Sequence, residues 1–299
     1  NTHATAEKVA DLLGISANDV LVCSTGLIGE QLPMDKLLPG AEAAVQALDS
    51  DGGALAAEAI MTTDTVSKQA VFTGSGYSIG GMAKGAGMLA PGLATMLVVL
   101  TTDADLDAAA LDAALRAATA VTFDRTDSDG CMSTNDTVIL MASGASGTTP
   151  DTEEFTSGLT EVCHSLAQQL ITDAEGASHD IAITTVNAAT VADAENASRA
   201  VARSNLFKTA IFGNDPNWGR VLSAVGTTDA AFEPDQINVT INGVQVCRNG
   251  GIGDPRDGVD LTGRAVSVEI DLAAGTESAT IWTNDLTTDY VHENSAYSS

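Results

Sequence analysis

Several short stretches of this chain carry residue types suited to acyl chemistry. Ser24-Thr25-Gly26 follows an apolar run at 19–23. Small hydroxyl residues and a glycine at the end of a strand present backbone N–H groups in the manner of an oxyanion hole, though such turns are also common as plain structure. Met61-Thr62-Thr63-Asp64-Thr65 sets three threonines around a carboxylate, to line a pocket or to cap a turn. Residues 82–103 hold one charge, Lys84, followed by a glycine- and proline-bearing approach to Ala94-Thr95 and then the apolar run Met-Leu-Val-Val-Leu. A threonine delivered by a backbone-tolerant loop to the mouth of a buried strand suits a nucleophile, and the same pattern suits a tight loop entering a core strand. The acidic loop 124–137 lacks the spacing and closing Glu of a calcium-binding EF-hand, so a structural loop is expected there.

Composition narrows the partners. The chain has 299 residues, 44% of them hydrophobic, enough for a large core and two domains or subdomains. Forty Asp and Glu stand against 13 Lys and Arg, a net charge of −27 with a pI near 4.1. Such a field repels nucleic acid and anionic membranes. The four cysteines (Cys23, Cys131, Cys163, Cys247) form no CxxC pair, and with four scattered histidines they give no metal-ligand spacing. Reduced thiols in a cytoplasmic protein are the simplest reading. The longest apolar stretch, 85–100, contains Pro91 and falls short of a membrane span. No signal peptide is visible, and because the chain opens on Asn1 in helix-like sequence, residues upstream are expected to have been lost.

The elements that must carry these motifs follow from periodicity. Helices are predicted over 5–13, 34–47, 54–60, 105–120, 151–173 and 190–204. The 151–173 helix bears a stripe of Phe155, Leu159, Val162, Leu166 and Leu170. Strands are predicted over 19–23, 69–73, 77–82, 96–101, 138–141, 180–186, 236–246, 265–271 and 278–283, the last two as a hairpin. Pro216 and Trp218 are expected to fix a turn before a helix. Composition shifts towards strands near Ser178, dividing 1–178 from 179–299, and the polar C-terminal tail reads as frayed.

Taken in order, these segments resemble the ornithine acetyltransferase (ArgJ) family of arginine biosynthesis. The resemblance rests on Cys-Ser-Thr-Gly-Leu-Ile-Gly at Cys23, Met-Thr-Thr-Asp-Thr at Met61 and Lys-Gly-Ala-Gly-Met-Leu-Ala-Pro…Ala-Thr-Met-Leu at Lys84. It continues with Asp-Gly-Cys-Met-Ser-Thr-Asn-Asp at Asp129, Asp-Ala-Glu-Gly at Asp173, Asp-Pro-Asn-Trp-Gly-Arg at Asp215 and Glu-Asn-Ser-Ala-Tyr-Ser-Ser at the end. It covers the whole chain, although family members carry an N-terminal stretch absent here. It implies an α/β fold, a layered sandwich of the DmpA/ArgJ type with helices flanking stacked β-sheets. That core occupies 1–178, and a smaller C-terminal α/β domain over 179–299 returns its tail to the active site.

The resemblance further implies self-cleavage between Ala94 and Thr95, leaving Thr95 as an N-terminal nucleophile with Thr25 and Gly26 as the oxyanion hole. Thr62, Lys84, Thr95, Glu175, Asn294 and Ser299 match the family's substrate contacts. Read alone, Lys84 is a loop charge, Glu175 a solvated helix-end acid, and Asn294 and Ser299 part of the tail. The implied reaction moves an acetyl group from N2-acetyl-L-ornithine to L-glutamate through acetyl-Thr95. No cofactor or metal is implied, acetyl-CoA is a candidate co-substrate, and the implied assembly is an α2β2 heterotetramer of cleaved chains. Two rivals stay open: a self-processing aminopeptidase or amidase with the same nucleophile, and an uncleaved, inactive homologue.

Overall fold

The computed structural model describes residues 1–90, 96–133 and 135–296. At the N-terminus, α1 (Thr2–Leu13) stops at Gly14, whose φ of 69° supplies the left-handed cap that glycine adopts without strain. Helices α2 (Met34–Gln46) and α3 (Gly53–Ala59) follow. The apolar run at 19–23 is not a strand. A 3₁₀ turn at Ala17–Asp19 leads into irregular backbone with Leu21 exposed. An apolar run becomes a strand only where a sheet edge receives its N–H and C=O groups, and among the described residues none does here.

The first sheet has the order β1-β2-β3-β4, built from β1 (Lys68–Thr73), β2 (Ser78–Lys84), β3 (Leu97–Thr102) and, after helix α4 (Ala108–Ala120), β4 (Thr137–Ala142). β1, β2 and β3 run antiparallel; β3 and β4 are parallel, with α4 in the crossover. Asp107 caps α4 by accepting the Ala110 N–H at 2.8 Å. The long helix α5 (Thr152–Thr172) is capped by Asp151, which accepts the N–H groups of Glu153 and Glu154. The acids of that first turn also suit the positive end of the helix dipole. Phe155, Leu159, Val162, Leu166 and Leu170 are all buried, packed in one cluster with Ile79, Val98 and Leu100 of the sheet. Each such side chain contributes about 1.5–3 kcal/mol on burial.

The second sheet has the order β10-β5-β9-β6-β7-β8. Chain order runs β5 (Asp180–Ala188), α6 (Val191–Ala202), α7 (Asn205–Phe212), α8 (Trp218–Val225), β6 (Asn238–Ile241), β7 (Val244–Arg248), β8 (Gly251–Ile252), β9 (Ala265–Asp271) and β10 (Glu277–Asn284). Its core sets Ile183, Val268, Ile270 and Ile281 against Ala197 and Val201 of α6, with Phe207, Ile211 and Val221 from the next two helices. Pro216 and Asn217 form the turn that opens α8, where Asn217 accepts the Arg220 N–H at 3.3 Å.

Two further strand expectations are corrected. The run at 236–246 is two strands, because Asn242 and Gly243 take φ of 44° and 82°, the pair of left-handed residues of a tight hairpin turn. β9 and β10 do not pair: β5 lies between them, parallel to β9 and antiparallel to β10. The loop joining them hooks over the end of β5, where the N–H groups of Ala274 and Gly275 both donate to the Asn187 carbonyl at 2.8 Å.

The sheets are tied through side chains. His164 of α5 meets Trp282 of β10 edge to face, ring centres 5.2 Å apart. Asn284 donates to the carbonyls of Ile171 (2.9 Å) and His179 (3.1 Å) and accepts from Ser128 Oγ at 2.8 Å. The last described helix, α9 (Thr288–Ala296), then packs by the segments 129 and 175–176, where Tyr290 reaches Asp129. Among the described residues no helix is long and apolar enough to cross a membrane.

Candidate active site

A pocket of about 260 Å³ opens where the glycine-rich segment after β2 meets five other parts of the chain. Its wall includes Thr25 and Gly26 from the 24–29 turn, Thr62, Lys84, Gly87, Glu175 and Asn294. The structure therefore brings together six sequence-predicted site residues separated by up to 269 positions (294 − 25). Ala94, Thr95 and Ser299 lie outside the described residues. Met96, which follows Thr95 and leads into β3, has both backbone groups held: its N–H donates to Asp136 at 3.0 Å and its carbonyl accepts from Thr137 at 3.1 Å.

Each wall is fixed by a polar network. Asp64 accepts the N–H groups of Thr62 (3.1 Å) and Gly85 (2.7 Å) and the Lys68 ammonium (2.7 Å), so one carboxylate orients both the Thr62 turn and the end of β2. Burial pushes its carboxyl up, but the Gly85 N–H, Lys68 and the Thr62 N–H together outweigh this and hold it below the usual range. Lys68 also bridges to Asp173 at 2.5 Å, and Asp173 accepts the Thr65 N–H at 3.0 Å. Lys68, Asp64 and Asp173 thus bind the 61–65 turn to β1 and to the end of α5.

Lys84 is buried, and burial lowers its pKa; Asp64, Glu175 and Asp136 pull the other way while Lys68 adds to the depression. Glu175 is also buried. Its N–H donates to the Ala86 carbonyl at 2.7 Å, and its Oε2 accepts from Asn294 Nδ2 at 3.0 Å. Two glycines are dictated by this packing. A Cβ on Gly87 would sit 2.5 Å from Glu175 Oε2, and one on Gly176 would sit 2.2 Å from the Tyr290 nitrogen of α9. The Thr287 hydroxyl donates to the Gly176 carbonyl at 2.6 Å, clasping the helix in place.

The tail is helical through Ala296, unlike the frayed end that its polar residues suggest when read alone, and Asn294 within it meets the buried Glu175. The loop 124–137 is structural where described. Asp127 accepts from Arg203 (2.7 Å) and Arg199 (3.2 Å), while Asp129 accepts the N–H groups of Met88 and Cys131. Among the described residues no group of three His, Cys, Asp or Glu is placed to hold a metal ion. Sequence reasoning marked Asp64 only as the carboxylate of the 61–65 turn and missed Lys68, Asn135 and Asp136 as organisers of the site. Asn135 and Asp136 lay inside a motif already marked, and Lys68 followed one three residues on.

Ser178, His179 and Asp285 do not form a competing relay. Ser178 Oγ and Asp285 Oδ2 both meet the same ring nitrogen, Nδ1, at 3.0 and 2.7 Å, and Nε2 faces the Leu261 carbonyl at 3.0 Å. A Ser-His-Asp catalyst needs its serine and carboxylate on opposite ring nitrogens.

Two mixed sheets flanked by helices, with a pocket lined by a lysine and a glutamate among others, define an α/β enzyme of small-molecule substrates. The chain belongs to the ArgJ family, whose family model matches residues 1–299. It is similar to the arginine biosynthesis bifunctional protein ArgJ of Streptomyces coelicolor, 67% identical over 299 residues, all of this chain and 78% of that protein. The ArgJ of Streptomyces avermitilis is 69% identical over the same shares, and that of Thermobifida fusca 66% over 298 residues. Among solved structures, the crystal structure of Bacillus halodurans ArgJ matches with a TM-score of 0.63 and 33% identity, covering 67% of this chain and 98% of that one.

Proposed function

We propose that this chain is an acyltransferase of arginine biosynthesis that moves acetyl from N2-acetyl-L-ornithine to L-glutamate, with Thr95 as nucleophile. The observation that carries the reading is the convergence of Thr25, Gly26, Thr62, Lys84, Glu175 and Asn294 on one pocket. In the maturation step the Thr95 hydroxyl attacks the Ala94 carbonyl, the C–N bond breaks, and the hydroxyl proton passes to the freed amine. Water then cleaves the ester, leaving an Ala94 carboxylate and an N-terminal Thr95.

That amine, with an ordinary pKa of about 7.7–8.0, is a general base on the same residue as the hydroxyl it activates. In turnover the hydroxyl attacks the acetyl carbonyl. The N–H groups of Thr25 and Gly26 stabilise the oxyanion, and ornithine leaves with the proton the amine collected. The α-amine of glutamate then attacks acetyl-Thr95 and restores the hydroxyl. Lys84 takes the substrate carboxylate and Glu175 the ammonium group of ornithine, with Asn294 and Ser299 as the further substrate contacts that the family resemblance implies.

We take acetyl-CoA as a second donor, in line with the relatives' description as bifunctional. An α2β2 assembly of cleaved chains and a cytoplasmic location belong to the same proposal. Mixing the enzyme with acetylornithine alone tests it by mass spectrometry. One acetyl group should appear on the peptide that begins at Thr95 and disappear on addition of glutamate, with N-acetylglutamate formed. Loss of that acetyl to water at the same rate without glutamate would instead make the protein a hydrolase.

A further inference from the structure

The proposed reaction needs two points held at a fixed separation, the oxyanion donors and the nucleophile. One dipeptide at the head of β4 touches the backbone beside each. Asn135 Nδ2 donates to the Ser24 carbonyl at 3.0 Å, one residue before Thr25. Asp136 Oδ1 accepts the Met96 N–H at 3.0 Å, one residue after Thr95. The next residue, Thr137, donates its own N–H to the Met96 carbonyl at 3.1 Å and begins the parallel pairing of β4 with β3. Both contacts therefore grow from one rigid strand end, and successive side chains of extended backbone point to opposite sides. One faces the 24–29 turn and the other faces the mouth of β3.

We propose that Asn135 and Asp136 are a positioning pair that sets the separation of the oxyanion turn from Thr95, in self-cleavage and in acetyl transfer alike. The inference rests on the reaction proposed above. Neither residue exchanges atoms with substrate; each acts through the backbone it holds. A carboxylate is a stronger acceptor of the Met96 N–H than a neutral group would be. It also places a negative charge near the Lys84 ammonium, which Asp64 and Glu175 face and which Lys68 opposes.

The half-buried Asp136 carboxyl is pushed up to about 6 by burial, with the Met96 N–H and Lys84 pulling the other way. Protonation near that pH removes the charge from the anchor. The anchor is intact above it and weakened below, so cleavage slows as pH falls through about 6.

The test compares the chain with N135A, D136A and D136N, each made by cell-free synthesis so that the uncleaved form can be followed by intact mass from time zero. A displacement of about 1 Å at a reacting centre typically costs about 10²-fold in rate. D136A should therefore slow cleavage and later transfer by about that factor. N135A should lower the transfer kcat more than it raises KM, because the oxyanion donors act in the transition state. D136N keeps an oxygen for the Met96 N–H, so it should recover part of the rate and lose the fall below pH 6. Wild-type rates in both N135A and D136A, or an unchanged acid limb in D136N, would overturn the pairing. If circular dichroism shows D136A unfolded, the D136N pH profile decides. A wild-type chain that neither breaks at Ala94-Thr95 nor transfers acetyl would overturn the reaction itself, and the pair's role with it.

Discussion

Asn294, near the end of the described chain, donates its side-chain amide to Glu175 Oε2 at 3.0 Å, 119 residues away in sequence. The contact joins the C-terminal helix to the one carboxylate of the pocket wall that is proposed to meet the substrate ammonium group. A hydrogen bond to a charged group contributes about 1.5–3 kcal/mol. N294A is expected to raise the KM for acetylornithine by roughly tenfold or more, in line with that range. Steady-state kinetics check it, and an unchanged KM would remove Asn294 from the site.

Gly87 lies against the same carboxylate. A methyl group there would sit 2.5 Å from Glu175 Oε2, so G87A must displace the Glu175 side chain or the backbone beside Lys84. Transfer by G87A should fall by at least about tenfold, the scale on which small displacements of a positioned group act. In an E175D background the shorter side chain leaves room, so adding G87A should cost less there than in the native chain. A double-mutant cycle measures the coupling, and strict additivity would contradict the contact.

Lys68 is the shared cation of two buried carboxylates, Asp64 at 2.7 Å and Asp173 at 2.5 Å. K68M leaves both without it. Removing one member of a buried ion pair destabilises by about 3–5 kcal/mol, and urea unfolding of K68M should show a loss of that size. Part of the loss is local, because Asp64 also holds Thr62 and Gly85.

Acid sensitivity follows from Asp64 and Asp285. Burial pushes both carboxyls up, yet their hydrogen bonds outweigh it and hold them low; for Asp285 the donors come from His179 and Ser178. A folded value below the unfolded value of about 3.9 contributes stability that is complete above it and is lost as pH falls through the folded value. Urea midpoints should therefore hold above about pH 5 and decline below about pH 4. D285N should be less stable at pH 7 and should flatten the decline.

Local pattern carried much of the architecture. The α5 stripe, the β1–β2 pairing and the strand after Thr95 were all legible, because a 3.6- or 2-residue period reports burial directly. The strand expected at 19–23 failed because periodicity cannot say whether an edge is available to pair with it. β9 and β10 looked like a hairpin from their short connection, whereas β5, some 80 residues upstream, had already taken the place between them. The split of 236–246 was visible in Asn242-Gly243, a turn signal overlooked beside strong flanking hydrophobicity.

For the site, Lys84 and Glu175 read individually as ordinary surface charges, and only family motifs marked them. What gathers them is long-range: Gly176 admits α9, and Asp64 and Lys68 tie three segments at one point. No spacing rule encodes such contacts. Asn135 and Asp136 escaped notice for the same reason, since their partners Ser24 and Met96 are 111 and 40 residues away.

The most direct test of the account replaces the nucleophile. Native chain and T95A are each incubated, weighed intact, and assayed for acetyl transfer from acetylornithine to glutamate. The native protein should resolve into two fragments divided between Ala94 and Thr95 and should transfer acetyl, while T95A should stay whole and form no N-acetylglutamate. Transfer by T95A at the native rate, or cleavage of T95A at the same bond, would contradict the assignment of Thr95.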